Sequence, residues 1–392
     1  MNAQERESSY FFHTYHRIPL EIERGEGVYL FTKDGRRYLD MFSGLAVNAL
    51  GYGHPRVLQA IQEQIVKYMH VSNYYLQEPQ LRLAELLIQH SGYPKVFLAN
   101  SGTEAIEGAI KICRKWGSNR GKRNIISFTN GFHGRTMGAL SMMDRPKYRN
   151  GFGPFLENFF TLKFNDADEL RHAVNDQTLA VVLEFIQGEG GVCPVTAAFV
   201  DDLRRMKSMF GFLVVADEIQ AGIGRTGKFF GFQHFNIEPD IVVVAKPIGG
   251  GLPLGAILGN EKVSDVLEPG MHGTTFGGNP VACAAGAAVL QEIAERGLVD
   301  HAEKMGKLLQ EKLLELKREF PAVVQDVRGY GLMLGMELKR DAEPVVSAMR
   351  EKGILINGTS QTVLRFLPPL IIQEEHINQT VSALREVLSG HG

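Results

Sequence analysis

A lysine and an aspartate that follow apolar runs are the residues of this sequence best suited to covalent chemistry. Lys246 closes the stretch DIVVVAK, and Asp217 closes FLVVAD. A lysine amine in a partly desolvated site loses its proton more easily and can form a Schiff base with a carbonyl compound. A carboxylate there needs a cationic partner, such as the protonated nitrogen of a pyridine ring. Taken singly, the lysine could equally be a snorkelling side chain and the aspartate a helix cap or ion-pair partner.

The spacing of these two residues indicates that they meet. Lys246 follows Asp217 by about 30 residues, the length of one parallel crossover unit. In an open α/β sheet, ligands bind at the carboxyl ends of the strands. We therefore expect both side chains at one edge of the sheet, where the glycines at 249–251 leave room for a bulky group.

A helix start after another strand offers a site for an anion. The strand KVFLA is followed by NSGTEAIEGAIK, so Ser101, Gly102 and Thr103 occupy the first turn of a predicted helix. Free backbone N–H groups, side-chain hydroxyls and the helix dipole suit a phosphate group at this position. A simple N-cap would have the same sequence.

Two arginines in unusual surroundings favour ligands with carboxylates. In GFHGRT, Arg135 could bind a carboxylate in a bidentate manner, while Phe132 and His133 could stack on a flat ring. An ordinary turn with one exposed arginine is the alternative. Arg365 lies within the apolar stretch VLRFLPPL and needs an anionic partner, for which Glu189 in QGEGG is a candidate.

Several other kinds of site are excluded by context. Residues 222–227, GIGRTG, match G-x-G-x-x-G, but DEIQA separates them from the strand and KFFGFQHF has no helical pattern, so a dinucleotide site is not expected. The sequence has no P-loop and no HExxH, and we predict no metal site. The three cysteines are far apart, which argues against a disulfide framework.

The composition is that of an ordinary soluble globular protein. The 392 residues are 44% hydrophobic and 22% charged, with a net charge of −2, so nothing indicates nucleic-acid binding. No apolar run reaches the roughly 18 residues of a membrane helix, and the N-terminus lacks the apolar segment of a signal peptide. We expect a cytoplasmic protein that does not bind membranes.

The alternation of elements predicts an α/β fold. Short, continuously apolar strands separated by helices indicate a mostly parallel sheet covered on both faces. We predict a large domain of residues 56–285. Residues 1–55 and 286–392 would together form a small α+β domain from both termini.

Taken together, the sequence resembles the class III pyridoxal-phosphate aminotransferases, and within them those that act on acetylornithine. The resemblance runs from GVYLFTKDGRRYLD to RFLPPL and rests on FLANSGTEA, FHGRT, QGEGGV, DEIQAGIGRTG, AKPIGGG and HGTTFGGNP. It implies fold type I of the enzymes that use pyridoxal 5'-phosphate, and a homodimer with active sites at its interface. Pro247 and Phe185 depart from the usual glycine and proline of the family.

The resemblance also implies roles for individual residues. Lys246 would hold the cofactor as a Schiff base and move a proton, and Asp217 would pair with the pyridine nitrogen. Arg135 would bind the terminal carboxylate of the substrate and Arg365 the α-carboxylate of glutamate, with Glu189 covering Arg365 when the amino donor reacts. The remaining cofactor-binding residues would be Ser101, Gly102, Thr103, Phe132, His133, Gln220 and Thr275 of the partner subunit, with Thr274 near the substrate.

The reaction implied is transfer of an amino group from N2-acetylornithine to 2-oxoglutarate, in a ping-pong cycle that yields N-acetylglutamate 5-semialdehyde and glutamate. The same machinery could act on 4-aminobutyrate, ornithine, N-succinyl-diaminopimelate or a carrier-bound lysine. A pyridoxal-phosphate aminomutase would not need Glu189 and Arg365. A non-catalytic protein that binds the cofactor would not need Lys246, Asp217 and Arg365 together.

Overall fold

The computed structural model describes residues 1–390, so the last two residues of the predicted segment 286–392 lie outside the described part. In chain order the strands are β1 (Ile22–Glu26), β2 (Tyr29–Thr32), β3 (Arg37–Asp40), β4 (Lys95–Ala99), β5 (Asn124–Phe128), β6 (Phe159–Leu162), β7 (Thr178–Leu183), β8 (Ile186–Gln187), β9 (Cys193–Pro194), β10 (Leu213–Asp217), β11 (Ile241–Val244), β12 (Gly255–Gly259), β13 (Val324–Tyr330), β14 (Met333–Leu338), β15 (Ile354–Leu355), β16 (Asn357–Thr359) and β17 (Val363–Phe366).

The helices are distributed along the whole chain. They are α1 (Ala3–Tyr10), α2 (Ser43–Ala46), α3 (Pro55–Ile65), α4 (Glu78–Ser91), α5 (Gly102–Gly117), α6 (Met137–Ser141), α7 (Pro146–Arg149), α8 (Ala167–Ala173), α9 (Ala197–Phe210), α10 (Pro280–Glu295), α11 (Leu298–Glu319), α12 (Glu343–Glu351) and α13 (Glu374–Ser389). The single turn α2 is unusual because Gly44 and Leu45 both have positive φ.

A seven-stranded sheet in the order β4-β12-β11-β10-β7-β5-β6 forms the centre of the fold. Only β12 runs antiparallel to its neighbours, so the mostly parallel sheet predicted from the apolar strands is confirmed. Strands β10 and β11 pair in parallel with Asp217 opposite Val243. The carboxyl ends of these two strands therefore lie side by side.

Both faces of this sheet are covered, which explains why its strands are apolar throughout. On one face Val215 packs in a cluster with Ile106 and Ile110 of α5. On the other face Val214 packs in a cluster with Phe199 of α9. Successive residues of a strand point to opposite faces, so both must be apolar when helices cover both sides.

Two smaller sheets use residues from the two ends of the chain. One has the order β1-β2-β3-β15, in which Leu39 near the N-terminus pairs with Ile354. The other has the order β13-β14-β17-β16 and carries Arg365. The division into residues 1–55, 56–285 and 286–392 stays a prediction.

The connection from β10 to β11 contains no α-helix. It consists of turns, with Gly224 and Gly227 at φ of 85° and 82°, and a 3-10 turn over Gly231–His234. This agrees with the rejection of a dinucleotide fingerprint at GIGRTG, which would have to begin a helix. No helix in residues 1–390 is both long enough and apolar enough to cross a bilayer.

Candidate active site

A cavity of about 500 Å³ opens beside the carboxyl ends of β10 and β11. It brings together residues from helix α5, the end of β10, the segment that follows β11 and several loops. The predicted site residues that line it are Ser101, Gly102, Thr103, Phe132, His133, Arg135, Glu189, Asp217, Gln220 and Lys246. Arg365 lies directly behind Glu189 and Gln220, to which it is hydrogen-bonded.

Lys246 leaves the sheet by an abrupt change of backbone direction. Strand β11 ends at Val244, and Lys246 has a φ of 48° at the start of a 3-10 turn over Lys246–Gly249. The strand inferred from the sequence thus ends before the lysine, and the turn aims the residue into the cavity. Pro247 sits in the first turn, where a backbone N–H would lack an acceptor in any case. The geometry of this turn therefore explains why a proline can occupy position 247.

The Lys246 amine is set up to lose its proton readily. Burial lowers the pKa of Lys246 to about 8, and the nearby positive charge of Arg365 lowers it as well. Glu189 and Asp217 oppose this effect. The neutral, nucleophilic form of the amine is therefore far more populated near neutral pH than in an ordinary lysine, although the charged form still predominates.

Asp217 is held by an unpredicted contact with His133. The His133 Nδ1 atom lies 2.7 Å from Asp217 Oδ2, and the backbone N–H of Ile219 donates to Asp217 Oδ1 at 3.1 Å. Burial alone would lower the pKa of His133, but the hydrogen bond to Asp217 and the charges of Asp217 and Glu184 together raise it. The sequence suggested that His133 stacks on a ring. It gave no signal for this bond, because the two residues are 84 positions apart.

Glu184 is a second buried carboxyl group that sequence reasoning missed. It lines the cavity, and its oxygens accept hydrogen bonds from the backbone N–H groups of Phe132 at 2.9 Å and Gly188 at 3.2 Å. Burial raises the pKa of Glu184 to about 7, and the charge of Asp217 adds to the increase. Its position three residues before the glycine-rich stretch QGEGG was the only available signal.

The start of helix α5, which the stretch NSGTEA predicted, faces the cavity. Ser101 caps the helix by accepting the N–H of Glu104 at 3.3 Å. Gly102 is needed because a Cβ there would lie 2.7 Å from Ile219 Cδ1. Helix geometry leaves the N–H groups of Gly102 and Thr103 without intrahelical acceptors, so an anion can bind them. The Thr103 hydroxyl lies 3.0 Å from that of Thr136 in the neighbouring loop.

Arg365 is almost completely enclosed by acceptors. Its Nη1 atom donates to Glu189 Oε1 at 2.6 Å and to Gln220 Oε1 at 3.1 Å, and its Nη2 donates to Asn357 Oδ1 at 2.6 Å. Asn357 lies opposite Arg365 in the β16–β17 pair, a cross-strand relationship that the sequence does not reveal. The pairing of Arg365 with Glu189 is the one expected from the sequence.

Arg135 is an exposed residue at the mouth of the cavity and is oriented by aromatic rings. Its guanidinium carbon lies 3.6 Å from the centre of the Tyr148 ring and 5.3 Å from that of Phe132. Stacking on an aromatic face leaves the in-plane N–H groups of an arginine free for a carboxylate. Tyr148 was not recognised in the sequence.

Thr274 and Thr275 do not line this cavity within the chain. They line a separate surface cavity of about 1120 Å³, together with Asn73 and His272. The Thr274 hydroxyl accepts a hydrogen bond from Asn100 Nδ2 at 3.0 Å. A role for either threonine in the site of a partner subunit stays a prediction.

Comparison with known proteins places these residues in a family context. The family "Aminotransferase class-III" matches residues 10–388. The acetylornithine aminotransferase of Aquifex aeolicus is 46% identical over 97% of this chain and 100% of its own length. That of Caldanaerobacter subterraneus is 46% identical over 98% of each chain. Among solved structures, the ornithine aminotransferase of Toxoplasma gondii superposes with a TM-score of 0.94 at 30% identity, covering 99% of this chain and 94% of the other.

Proposed function

Because this chain belongs to the class III aminotransferases, we propose that it transfers the terminal amino group of N2-acetylornithine to 2-oxoglutarate. The products would be N-acetylglutamate 5-semialdehyde and glutamate. The observation that carries the proposal is the Glu189–Arg365 pair next to Lys246, because it provides a carboxylate site that can be covered and uncovered. The names of two curated relatives that are 46% identical to this chain support acetylornithine as the donor.

The residues of the cavity fit pyridoxal 5'-phosphate as the cofactor. Asp217 provides the buried carboxylate for its ring nitrogen, the first turn of α5 provides N–H groups for its phosphate, and Phe132 provides an aromatic face. Lys246 provides the amine that would carry it covalently. When bound, this cofactor supplies an electron sink that stabilises negative charge on the substrate carbon bearing the amino group.

Two residues would have separate roles in the reaction at that carbon. Lys246 Nζ would take the proton from the substrate carbon and later return it, and its lowered pKa favours the neutral amine that can act as the base. His133 would donate its Nδ1–H to Asp217 and so keep the carboxylate oriented toward the ring nitrogen.

The ion pair of Glu189 and Arg365 would let one cavity accept two different substrates. Acetylornithine would react through its distal amine while Glu189 covers Arg365 and Arg135 binds the carboxylate. Glutamate and 2-oxoglutarate would displace the Glu189 side chain, so that Arg365 binds their α-carboxylate. The physical reason is that a buried guanidinium needs an anionic partner in both half-reactions.

A homodimer would complete the site, with Thr275 of the partner subunit near the phosphate. Support comes from the surface around the cavity that contains Thr274 and Thr275. Tyr74, Leu76 and Phe276 are 95%, 94% and 59% exposed there in the single chain. Large apolar side chains exposed near one another favour a contact with another protein. A cytoplasmic location remains a prediction from the sequence.

The principal alternative is a different amine with its amino group at the chain end. Solved structures of ornithine aminotransferases superpose closely on this chain, which favours ornithine among the alternatives. 4-Aminobutyrate, N-succinyl-diaminopimelate and a carrier-bound lysine would use the same residues. An aminomutase is disfavoured, since it would not need the pair of Glu189 and Arg365.

The test is glutamate formation from 2-oxoglutarate with a panel of amines at equal concentration. The highest kcat/KM is expected for acetylornithine, with ornithine and 4-aminobutyrate as comparison substrates. The Arg135→Met variant is measured in the same assay. It should lose affinity for amines that carry a carboxylate far from the reacting amine. A clear preference for another amine would contradict acetylornithine as the amino donor but would leave the proposed mechanism unchanged.

A further inference from the structure

Arg225 is a second arginine that is as deeply buried as Arg365, and the proposed reaction does not use it. It lies in the GIGRTG segment of the β10–β11 connection and is 2% exposed, compared with 1% for Arg365. Burial lowers the pKa of Arg225 to about 9, so the side chain keeps its charge at neutral pH. Its burial in a cationic form requires a structural or functional reason.

All the hydrogen-bond acceptors of the Arg225 side chain are backbone carbonyls from the C-terminal part of the chain. Its Nη1 atom donates to the carbonyl of Leu332 at 3.2 Å and to that of Pro368. The backbone N–H of Leu332 donates in turn to the carbonyl of Arg225 at 3.0 Å. Within residues 1–390, Arg225 forms no ion pair and its Nη2 atom has no partner.

These two carbonyls lie at one end of the β14–β17 pair, in which β17 contains Arg365. Leu332 directly precedes β14, and Pro368 follows the end of β17 by two residues. In the β14–β17 pair, Gly335 lies opposite Arg365. Because the strands are antiparallel, the same register places Leu332 beside Pro368. Arg225 thus fastens one end of this strand pair, three residues beyond Arg365, to the β10–β11 connection.

The contact between the two parts is tight enough to transmit a displacement. A Cβ at Gly331 would lie 2.4 Å from the carbonyl carbon of Thr226, so the two backbones touch. Gln220, which begins the same connection, accepts a hydrogen bond from Arg365 Nη1 at 3.1 Å. The β10–β11 connection therefore contacts Arg365 directly and also holds β17, which contains Arg365, together with the neighbouring strand β14.

We propose that Arg225 is a positioning residue for Arg365, which sets the distance between the Arg365 guanidinium and Lys246 and thereby the affinity for glutamate and 2-oxoglutarate. This inference rests on the proposed function, in which Arg365 binds the α-carboxylate of the dicarboxylic substrates. It assigns no role to Arg225 in the half-reaction of acetylornithine, in which Glu189 covers Arg365.

The experiment measures the two half-reactions separately by single-turnover absorbance of the holoenzyme. Arg225→Met, which keeps the length of the side chain but no donor, should raise the apparent dissociation constants of glutamate and 2-oxoglutarate by roughly tenfold or more, since a small misplacement of a binding group is costly. The rate and affinity with acetylornithine should stay within about twofold. Arg225→Lys, with one ammonium group for the two carbonyls, should show a smaller change in the same direction.

Two further variants make the result decisive. Thr226→Val removes a buried hydroxyl that has no partner and should leave both half-reactions unchanged. Arg365→Lys should weaken binding of the dicarboxylic substrates directly. If Arg365→Lys has no such effect, the proposed function fails. If it has that effect but Arg225→Met does not, only the positioning role fails.

An equal loss in both half-reactions would also overturn the proposal, because it would indicate a general structural role. Thermal unfolding of each variant identifies a fold defect. If Arg225→Met is not obtained as folded protein, Arg225→Lys decides the question. A rise confined to the apparent dissociation constants of glutamate and 2-oxoglutarate supports the positioning role. Dissociation constants that are unchanged, or raised equally for acetylornithine, contradict it.

Discussion

Glu189 and Arg365 form an ion pair in which one partner is fixed and the other is free to move. The two side chains meet at 2.6 Å, but the side chain of Arg365 is only 2% exposed, whereas that of Glu189 is 23% exposed. Arg365 is also bonded to Asn357 and Gln220, whereas the Glu189 carboxylate accepts only from Arg365 among residues 1–390. The Glu189 carbonyl accepts hydrogen bonds from Arg145, Thr359 and Ser360. The backbone is therefore anchored, and the side chain alone can rotate away.

This asymmetry predicts the effect of replacing Glu189. Glu189→Ala should favour glutamate over acetylornithine as the amino donor, shifting the ratio of the two half-reaction rates by roughly tenfold or more, equivalent to about 1.4 kcal/mol. The reason is that Arg365 would be open to the α-carboxylate of glutamate at all times. Stopped-flow absorbance with each amino donor gives the ratio.

The matched control for Glu189 is Glu337, which pairs with Arg328 and does not line the cavity. Glu337→Ala removes a carboxylate from another arginine and should leave the ratio unchanged. A ratio in Glu189→Ala equal to that of the unaltered protein would exclude Glu189 as the covering group.

Lys246 is predicted to be the only lysine whose loss prevents covalent binding of the cofactor. Borohydride reduction followed by mass spectrometry should locate pyridoxal phosphate on Lys246 and on no residue in Lys246→Ala. Lys122 is the matched control, because burial also lowers the pKa of Lys122, yet its amine is bonded to three carbonyls outside the cavity. Lys122→Ala should retain the label and the visible absorbance. Persistence of the label in Lys246→Ala would contradict the assignment.

The pKa of Lys246 predicts how cofactor attachment depends on pH. Only the neutral amine can attack a carbonyl, so the rate at which apoprotein takes up pyridoxal phosphate should rise with pH and level off above about 8. Without burial and Arg365 the rise would occur near the ordinary lysine pKa of about 10.4. The direction in which each neighbouring charge shifts the pKa of Lys246 can be checked with two variants. Arg365→Gln removes a charge that lowers the pKa and should move the midpoint upward, whereas Glu189→Gln should move it downward.

A midpoint that stays the same in both variants would mean that the two charges do not act on Lys246. Absorbance of the bound cofactor, followed between about pH 6 and 10, supplies the rates. The test does not depend on which amine is the substrate.

His133 is predicted to act through Asp217. His133→Phe should lower kcat by roughly tenfold or more, since a hydrogen bond to a charged group is worth about 1.5–3 kcal/mol. His133→Asn keeps an N–H donor near the position of Nδ1 and should restore part of the activity. The absorbance maximum of the bound cofactor should shift in the phenylalanine variant and shift less in the asparagine variant. Equal loss in both variants, without a spectral change, would reduce His133 to a packing role.

The positions of Lys246 and Asp217 could be inferred from the sequence because they follow from local patterns. Apolar strands of this kind are fully buried in a parallel sheet, and one crossover brings the ends of neighbouring strands to the same edge. The phosphate-type start of α5 is equally local, because a helix cap and its free N–H groups lie within a few consecutive residues. The pairing of Glu189 with Arg365 was predictable only because each residue alone would be costly to bury.

Other relationships were decided by the tertiary structure alone. Two of them join segments that are distant in the chain: the hydrogen bond between His133 and Asp217, and the hydrogen bonds from Arg225 to the carbonyls of Leu332 and Pro368. A third, the contact of Asn357 with Arg365, depends on how two short strands pair. Such contacts have no period and no fixed spacing, so no pattern in the sequence encodes them. The sequence determined which chemical groups lie at the edge of the sheet. The packing of the C-terminal strands against the β10–β11 connection decided how those groups are oriented, because backbone contacts between the two parts set their relative position.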